Sequence, residues 1–448
     1  MRSTVHSALL LLLLLALPSA GHTTDTPATS SSGWLARVAE HSGLPARFVA
    51  VDKGQQRLFL FNHNSPLELT ADFTCTTGQA VGAKQDEGDL KTPEGVYFVE
   101  GHITGGLDFG LYGNEAYPLN YPNPIDRLRA RSGYGIWIHG RGRTLVPRDT
   151  QGCVAMNNAD LTTLGPSLQP GTPVMLAQTI SASPRSAATP AQRALHDAPQ
   201  AGTAVEGTTA QADELLKLST QWATAWANRD SAMLDMYNPA AYSTSSGSFA
   251  QFAATKKRLF RNLPWIINWI DDVQALQGPG YWVTWFSQYY RAPNLTVQGQ
   301  RRLYWLADAS GRMRIAGMEW RPLQNNLEDR YLAAVQPDVL AVIEKWRAAW
   351  ESGDLPHYMN YYTEDARQDA RGGLDAIRLH KQSVWASAHP KKVQLDAFRF
   401  SVGPEGLSVT MRQRYSSSGG YSDSGVKTLT LHPHDNTWRI AREDWRAL

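Results

Sequence analysis

A histidine and a cysteine lie 14 positions apart in one glycine-rich stretch, IWIHGRGRTLVPRDTQGCVAMNN, as His139 and Cys153. A cysteine attacks carbonyl carbon as the thiolate, and its ordinary pKa of about 8.5 leaves little thiolate at neutral pH. A neighbouring imidazole can accept the thiol proton and stabilise the resulting ion pair. The pair therefore predicts nucleophilic catalysis with Cys153 as the nucleophile and His139 as the base.

Gly152 stands directly before the candidate nucleophile. Glycine lets the backbone turn tightly, and backbone N–H groups at such a turn can face a developing oxyanion. The only other cysteine is Cys75, so a single disulfide, Cys75 to Cys153, is possible. That bridge would silence the nucleophile. The alternative for Cys75, on a predicted strand, is a small buried apolar residue.

The first 20 residues have the layout of a secretory signal peptide. Arg2 gives a positive start, Ala8 to Leu17 is an unbroken apolar run, and small residues follow at 18–20. The run is too short to span a membrane. We therefore expect export to the periplasm, with no stable membrane span.

Composition narrows the class of protein further. The 448 residues, 42% hydrophobic and 19% charged, predict a globular chain of two to four domains. A net charge of +2 gives no electrostatic footprint for nucleic acid. We expect no cofactor and no metal.

The elements that must position His139 and Cys153 are mostly strands. A hairpin is predicted from Phe48, a strand around Cys75, a turn at Pro93 and Gly95 followed by a strand, and a strand ending at His139. A short helix follows the cysteine, and the block closes near Gln178.

Residues 179–211 are rich in Ala, Ser, Thr and Pro and are interpreted as a linker. Beyond them the chain repeats itself, since QWATAWANRDSAMLDMY at 221–237 matches KWRAAWESGDLPHYMNYY at 345–362. Four pairs share an offset of 124: Trp222 and Trp346, Trp226 and Trp350, Asp230 and Asp354, Tyr237 and Tyr361. A period this long indicates a duplicated domain.

Each copy starts with an amphipathic helix that carries tryptophans at i and i+4, and ends in alternating strand patterns. Helices followed by consecutive strands predict an α+β domain with an antiparallel sheet. Asp230 and Asp354 are expected to be turn or cap residues. The pattern resembles the nuclear-transport-factor-2-like (NTF2-like) superfamily, which implies a cone with a curved antiparallel sheet and a pocket. That fold serves enzymes and binding modules alike.

The β-rich block resembles the YkuD-type L,D-transpeptidase family, including its ErfK and YafK variants. Three ordered motifs carry the resemblance: TTGQAVGAKQDEGDLKTPEGVYFV, YGNEAYPLNYPNPIDR, and His-Gly followed by Thr-x-Gly-Cys. The resemblance implies that Cys153 attacks a peptidoglycan stem peptide between an L-centre and a D-centre. It also implies that His139 is base and then acid, the Gly140 carbonyl orients the imidazole, the Gly152 and Cys153 amides hold the oxyanion, and Thr150 orders the loop.

Two positions depart from the family pattern. Gln151 stands where many members have His, and Ala155 stands where many have Arg or Asn. Arg141 and Arg143 are candidates for binding a diaminopimelate carboxylate of the substrate. Tyr121 either shapes a substrate groove or packs within a loop.

The sequence thus predicts a multidomain chain with a mostly-β catalytic domain and two tandem cone domains. The predicted boundaries are signal peptide 1–20, N-terminal segment 21–46, catalytic domain 47–178, linker 179–211, and cone domains 212–325 and 326–448.

The predicted function is a cysteine-dependent L,D-transpeptidase that transfers the stem peptide to an amine in cell-wall biogenesis. One alternative is an L,D-carboxypeptidase that trims tetrapeptides to tripeptides. The other, motivated by Gln151 and Ala155, is a wall-binding protein with a silent catalytic domain. The expected partners are stem peptides and, through the cones, other wall-synthesis proteins.

Overall fold

A computed structural model describes residues 33–64, 66–182, 202–243, 247–323 and 326–448. The predicted signal peptide, the polar stretch after it and the middle of the predicted linker lie outside these residues. Among the described residues, no helix combines the length and the apolar character needed to cross a membrane.

The β-rich block, residues 33–182, is built mainly from strands. These are β1 (Leu35–Val38), β2 (Arg47–Asp52), β3 (Arg57–His63), β4 (Leu67–Thr76), β5 (Gly95–Phe98), β6 (Ala116–Pro118), β7 (Trp137–Arg141), β8 (Val154–Asn157), β9 (Pro173–Ala177) and β10 (Thr179–Ala182). Its α-helices are α1 (Phe109–Tyr112), α2 (Pro124–Leu128) and α3 (Asn158–Leu164), and a 3-10 turn (Gly165–Ser167) follows α3.

Eight of these strands form one sheet in the order β5-β9-β2-β3-β4-β8-β7-β6. The predicted hairpin is confirmed by the antiparallel pairing of β2 with β3. Side chains of a strand alternate between faces. Phe48 and Ala50 accordingly join one apolar cluster, and Val49 and Val51 join another. The sheet is therefore buried on both faces.

The strand predicted to end at His139 continues to Arg141. It pairs in parallel with β8, with His139 opposite Ala155 and Ile138 opposite Val154. Cys153 is the residue immediately before β8. This pairing brings the histidine and the cysteine to the same end of two neighbouring strands.

Both ends of the predicted linker carry regular structure. Strand β10 pairs in parallel with β1, with Leu35 opposite Thr179. Helix α4 begins at Gly202, and residues 183–201 lie outside the described part of the chain. The predicted domain boundaries stay predictions.

Two α+β repeats follow. The first repeat, residues 202–323, contains α4 (Gly202–Ala227), a 3-10 helix (Ser231–Met236), α5 (Phe249–Asn262), β11 (Ile267–Gly278), β12 (Tyr281–Ala292), β13 (Leu295–Ala307) and β14 (Met313–Pro322). The second repeat, residues 326–448, contains α6 (Leu327–Ser352), α7 (Leu355–Met359), β15 (Tyr362–Gln368), β16 (Arg371–Gly372), α8 (Leu374–Ser387), β17 (Pro390–Gly403), β18 (Gly406–Ser417), β19 (Ser422–His434) and β20 (Thr437–Ala447).

The first repeat has a four-stranded antiparallel sheet, β11-β12-β13-β14. The second has a six-stranded sheet, β16-β15-β20-β19-β18-β17, in which β15 and β20 run parallel. The first long strand of each repeat breaks register at an equivalent place, after Asp271 and after Asp396, and β17 has a further break between Pro390 and Lys392. Asp272 and Ala397 there have positive φ angles of 55° and 57°. Such bulges bend a strand, and their equivalent positions confirm that the repeats share one curved fold.

The helix tryptophans are core residues in both repeats. Trp222 donates from Nε1 to the Tyr237 hydroxyl at 2.9 Å, and Trp346 donates to Tyr362 at 3.1 Å. The structural partner of Tyr237 is therefore Tyr362, and the offset-based assignment of Tyr361 is wrong. A one-residue insertion after the helix explains the shift.

Asp230 and Asp354 cap the short helices that follow the tryptophans. Asp230 accepts from the Ala232 amide and Asp354 accepts from the His357 amide. Side-chain oxygens at this position satisfy amides that lack an intrahelical partner. Their predicted role as caps is confirmed.

The first repeat packs on one face of the eight-stranded sheet, and both belong to one unit, Gly33–Leu448. The Tyr281 hydroxyl accepts from the Val96 amide at 2.8 Å. Arg302, whose side chain is buried, contacts Glu100 at 2.7 Å. Polar contacts of this kind fix the orientation of the apolar interface around them.

A buried ion pair stabilises the turn that carries Pro93. Lys53 Nζ lies 2.9 Å from Glu94 Oε1, and both side chains are 4% exposed. The same ammonium donates to the carbonyls of Gly82 and Thr92. Glu94 also accepts from the Trp34 amide at 2.7 Å.

We expect Lys53→Met to lower the free energy of unfolding by about 3 kcal/mol, because it leaves a buried carboxylate without its cation. The double variant Lys53→Met with Glu94→Gln should recover most of this loss, since glutamine still accepts from Trp34. Urea unfolding followed by fluorescence measures both. A double variant as unstable as Lys53→Met would contradict this explanation.

Candidate active site

His139 and Cys153 line the same cavity, which has a volume of about 250 Å³. Arg141, Arg143 and Thr150 line it too. The structure therefore brings the predicted nucleophile, base and two candidate carboxylate-binding residues together.

The ring of His139 is held in one orientation. Its Nδ1 lies 2.7 Å from the Gly140 carbonyl oxygen, and the Tyr112 ring packs edge-on at 5.1 Å. A carbonyl only accepts, so Nδ1 carries the proton and Nε2 is the acceptor. Burial lowers the pKa of His139 to about 4. The hydrogen bond to Gly140 opposes this shift, and the positive charge of Arg141 adds to it. His139 is thus a neutral base with a free Nε2 lone pair at neutral pH.

Close packing explains the glycine after His139. A Cβ on Gly140 would lie 2.1 Å from Asn158 Oδ1. Asn158 donates to the Arg141 carbonyl at 3.2 Å and accepts from the Asn114 amide at 3.3 Å. Any side chain at position 140 would push the Asn158 side chain away from β7 and break its hydrogen bond to the Arg141 carbonyl.

Cys153 is a half-buried thiol in the resting structure. Its Sγ donates to the Gly135 carbonyl at 3.3 Å. Burial raises the pKa of Cys153 to about 11, although a backbone hydrogen bond to Trp137 and the charge of Arg141 oppose the shift. The resting pair is therefore thiol and neutral imidazole, and the proton must move when the sulfur attacks.

Thr150 fixes the turn before the nucleophile. Its Oγ1 donates to the Cys153 carbonyl at 2.7 Å and accepts from the Gly152 amide at 3.1 Å. The Gly152 amide, a predicted oxyanion donor, is thus engaged in this structure, which leaves the Cys153 amide as the other candidate. Gly152 has a φ of +130°, and a Cβ there would lie 2.8 Å from the Lys91 carbonyl oxygen.

Side-chain contacts that the sequence motifs do not reveal anchor the loop between His139 and Cys153. Gln56 Oε1 accepts from the amides of Thr77 and Arg148, each at 3.0 Å. Thr76 donates to the Val146 carbonyl and accepts from the Asp149 amide. Tyr112, the last residue of α1, and Gln79 also line the cavity. Both belong to the sequence motifs quoted above, but no periodic pattern assigns either of them to the site.

Of the other positions singled out in the sequence, some line the cavity and some do not. Arg141 and Arg143 both contact Asp149, at 3.1 and 2.9 Å. Gln151 lines the cavity, whereas Ala155 is fully buried in β8.

Tyr121 does not line the Cys153 cavity. Its hydroxyl donates to the Ser132 carbonyl at 3.0 Å and its ring packs against Tyr97. It borders a separate cavity of about 800 Å³ between the sheet and the first repeat, together with Arg127.

Both cysteines are free. Cys75 is 1% exposed on β4, where it pairs with Met156, three residues beyond Cys153. Three residues of strand span about 10 Å, and a disulfide needs Cα atoms within about 7 Å. Burial raises the pKa of the Cys75 thiol above its ordinary value. Cys75 is therefore the buried apolar residue of the two alternatives.

Comparison with known families agrees with this architecture. Residues 46–176 match the YkuD L,D-transpeptidase catalytic domain. Residues 214–317 and 338–444 match the Cds6 C-terminal NTF2-like domain. The chain thus carries an L,D-transpeptidase-family catalytic domain followed by two NTF2-like domains, as the sequence predicted. No curated protein sequence matches it significantly.

The solved structures similar to this chain include the following two. Bd1075 of Bdellovibrio bacteriovorus is 21% identical, with a TM-score of 0.49 over 66% of this chain and 99% of that one. The helical cell shape determining protein Pgp2 of Campylobacter jejuni is 25% identical, with a TM-score of 0.45 over 61% of this chain and 91% of that one.

Alkylation by iodoacetamide tests the protonation state of Cys153. Only the thiolate reacts, so a pKa of about 11 predicts a rate constant that rises about tenfold per pH unit between pH 7 and 10. Cys153→Ala gives the background from Cys75. A plateau below pH 7 would instead reveal a thiolate–imidazolium pair.

Proposed function

We propose that this chain is a cysteine-dependent enzyme that cleaves peptidoglycan stem peptides at the bond between an L-centre and a terminal D-residue. The observation that carries the proposal is the neutral His139, fixed through Nδ1 by Gly140, in one cavity with the Cys153 thiol. The L,D-transpeptidase-family domain supports peptidoglycan as the substrate.

The proposed reaction has two halves. In the first, His139 Nε2 takes the Sγ proton while the sulfur attacks the carbonyl carbon. The imidazolium then gives that proton to the leaving nitrogen, so the C–N bond breaks and a thioester forms. In the second half, His139 activates an acceptor that attacks the thioester and returns Cys153 as the thiol.

We propose water as the acceptor, which makes the enzyme an L,D-carboxypeptidase. Ala155 is buried in β8, so no side chain from position 155 enters the cavity to hold an amine.

Incubation of purified tetrapeptide muropeptides with the protein, followed by mass spectrometry, tests this function. We expect tripeptide products and a free D-amino acid. Cys153→Ala should abolish turnover, and His139→Gln should lower kcat by about 10²–10⁴-fold, because general base catalysis is lost. Cys75→Ala, which alters no residue of the cavity, serves as the control.

Unchanged turnover in Cys153→Ala would refute the catalytic assignment. New cross-linked dimers in place of tripeptides would show that the acceptor is an amine and that the enzyme is a transpeptidase. Absence of any product from the folded wild-type protein would favour a wall-binding protein with a silent domain.

We also propose that the protein works in the periplasm, where stem peptides are located. The apolar run from Ala8 to Leu17 supports this. Cell fractionation followed by N-terminal sequencing checks it, with cleavage near Ala20 as the expected result.

A further inference from the structure

We propose that Arg141 and Arg143 bind the free α-carboxylate of the terminal stem residue, so that the enzyme cuts only stems that end in a free carboxylate. This inference rests on the proposed function and assigns its specificity for the chain end. It concerns the cavity that already holds Cys153.

Arg141 is buried and incompletely paired. Its side chain is 4% exposed, and Nη2 contacts the carbonyl and carboxylate oxygens of Asp149 at 3.0 and 3.1 Å. Its Nε is buried without a hydrogen-bond partner among the residues that the structure describes. Buried donors are nearly always hydrogen-bonded, and a guanidinium matches a carboxylate through two parallel N–H bonds. A substrate carboxylate would supply the missing acceptor.

The charges around the cavity leave room for an anion. Its charged lining residues are two arginines, Arg141 and Arg143, and one carboxylate, Asp149. Both guanidinium groups share the same Asp149 oxygen, Oδ2. His139 is neutral at pH 7 because burial lowers its pKa. One positive charge in the cavity wall therefore has no matching negative charge, and a single carboxylate neutralises it.

The position of Arg141 on β7 selects which carboxylate it binds. Arg141 follows His139 by two residues on one strand, so both side chains project from the same face about 7 Å apart. In a stem peptide the α-carboxylate of the terminal residue is bonded to the carbon that bears the scissile nitrogen. It therefore lies within one residue of the bond that Cys153 attacks. A carboxylate at the far end of the preceding side chain lies further away.

Binding to the Cys153→Ala protein separates recognition from chemistry. Calorimetry compares a stem tetrapeptide that ends in a free carboxylate with the same peptide ending in a carboxamide. We expect the acid to bind at least about tenfold more tightly, as for hydrogen bonds to charged groups. Adding Arg141→Gln should reduce the preference to about twofold or less, and Arg143→Gln should reduce it partly.

Arg47→Gln is the matched control, because Arg47 is an exposed arginine on β2 that contacts Asn62. Circular dichroism checks that Arg141→Gln folds. Arg143, with a side chain 53% exposed, gives a second variant at a position outside the core.

Equal affinity for the acid and the amide would overturn the inference. So would a preference that survives both Arg141→Gln and Arg143→Gln, since another group would then bind the carboxylate. Wild-type turnover of both peptides is measured in parallel. Acid-selective binding without turnover refutes only the proposed hydrolysis, whereas equal turnover of acid and amide refutes only the carboxylate recognition.

Discussion

The parallel pairing of β7 with β8 is the constraint on which the cavity of His139 and Cys153 depends. It places His139 opposite Ala155, so Cys153, the residue before β8, lies beside the start of β7. Parallel strands need a long crossover between them. Here the crossover is the loop that Gln56 holds through the Arg148 amide. The loop thus joins the strands and supplies the wall of the cavity.

The β-rich block and the proximity of His139 to Cys153 could be predicted because they follow local rules of alternation, turn chemistry and motif order. Tyr121 could not, since an aromatic residue in a loop packs inward or lines a groove according to distant neighbours such as Tyr97. The engagement of the Gly152 amide by Thr150 also escapes the sequence, because it depends on a side-chain rotamer. The strand at 179–182 was missed because its partner, β1, lies far away in the chain.

The two repeats show how a duplicated core diverges. In the first repeat the Tyr237 hydroxyl donates to the Met318 sulfur at 3.3 Å. In the second, Tyr362 donates to Glu443, which also pairs with buried Lys427. Register supports the equivalence, since Leu303 faces Met318 and Leu429 faces Glu443. An apolar sulfur and an ionised carboxylate thus occupy the same place in one fold, and the charge is tolerated because a cation is buried with it.

The protonated state of Cys153 has a consequence for its chemical lifetime. Peroxides and disulfides react with the thiolate, and the thiolate fraction sets how fast a cysteine is oxidised. With a pKa of about 11, about one Cys153 side chain in ten thousand is ionised at pH 7. The burial that keeps the sulfur protonated thereby also slows its oxidation, a protection that matters most in an oxidising compartment such as the periplasm proposed for this chain.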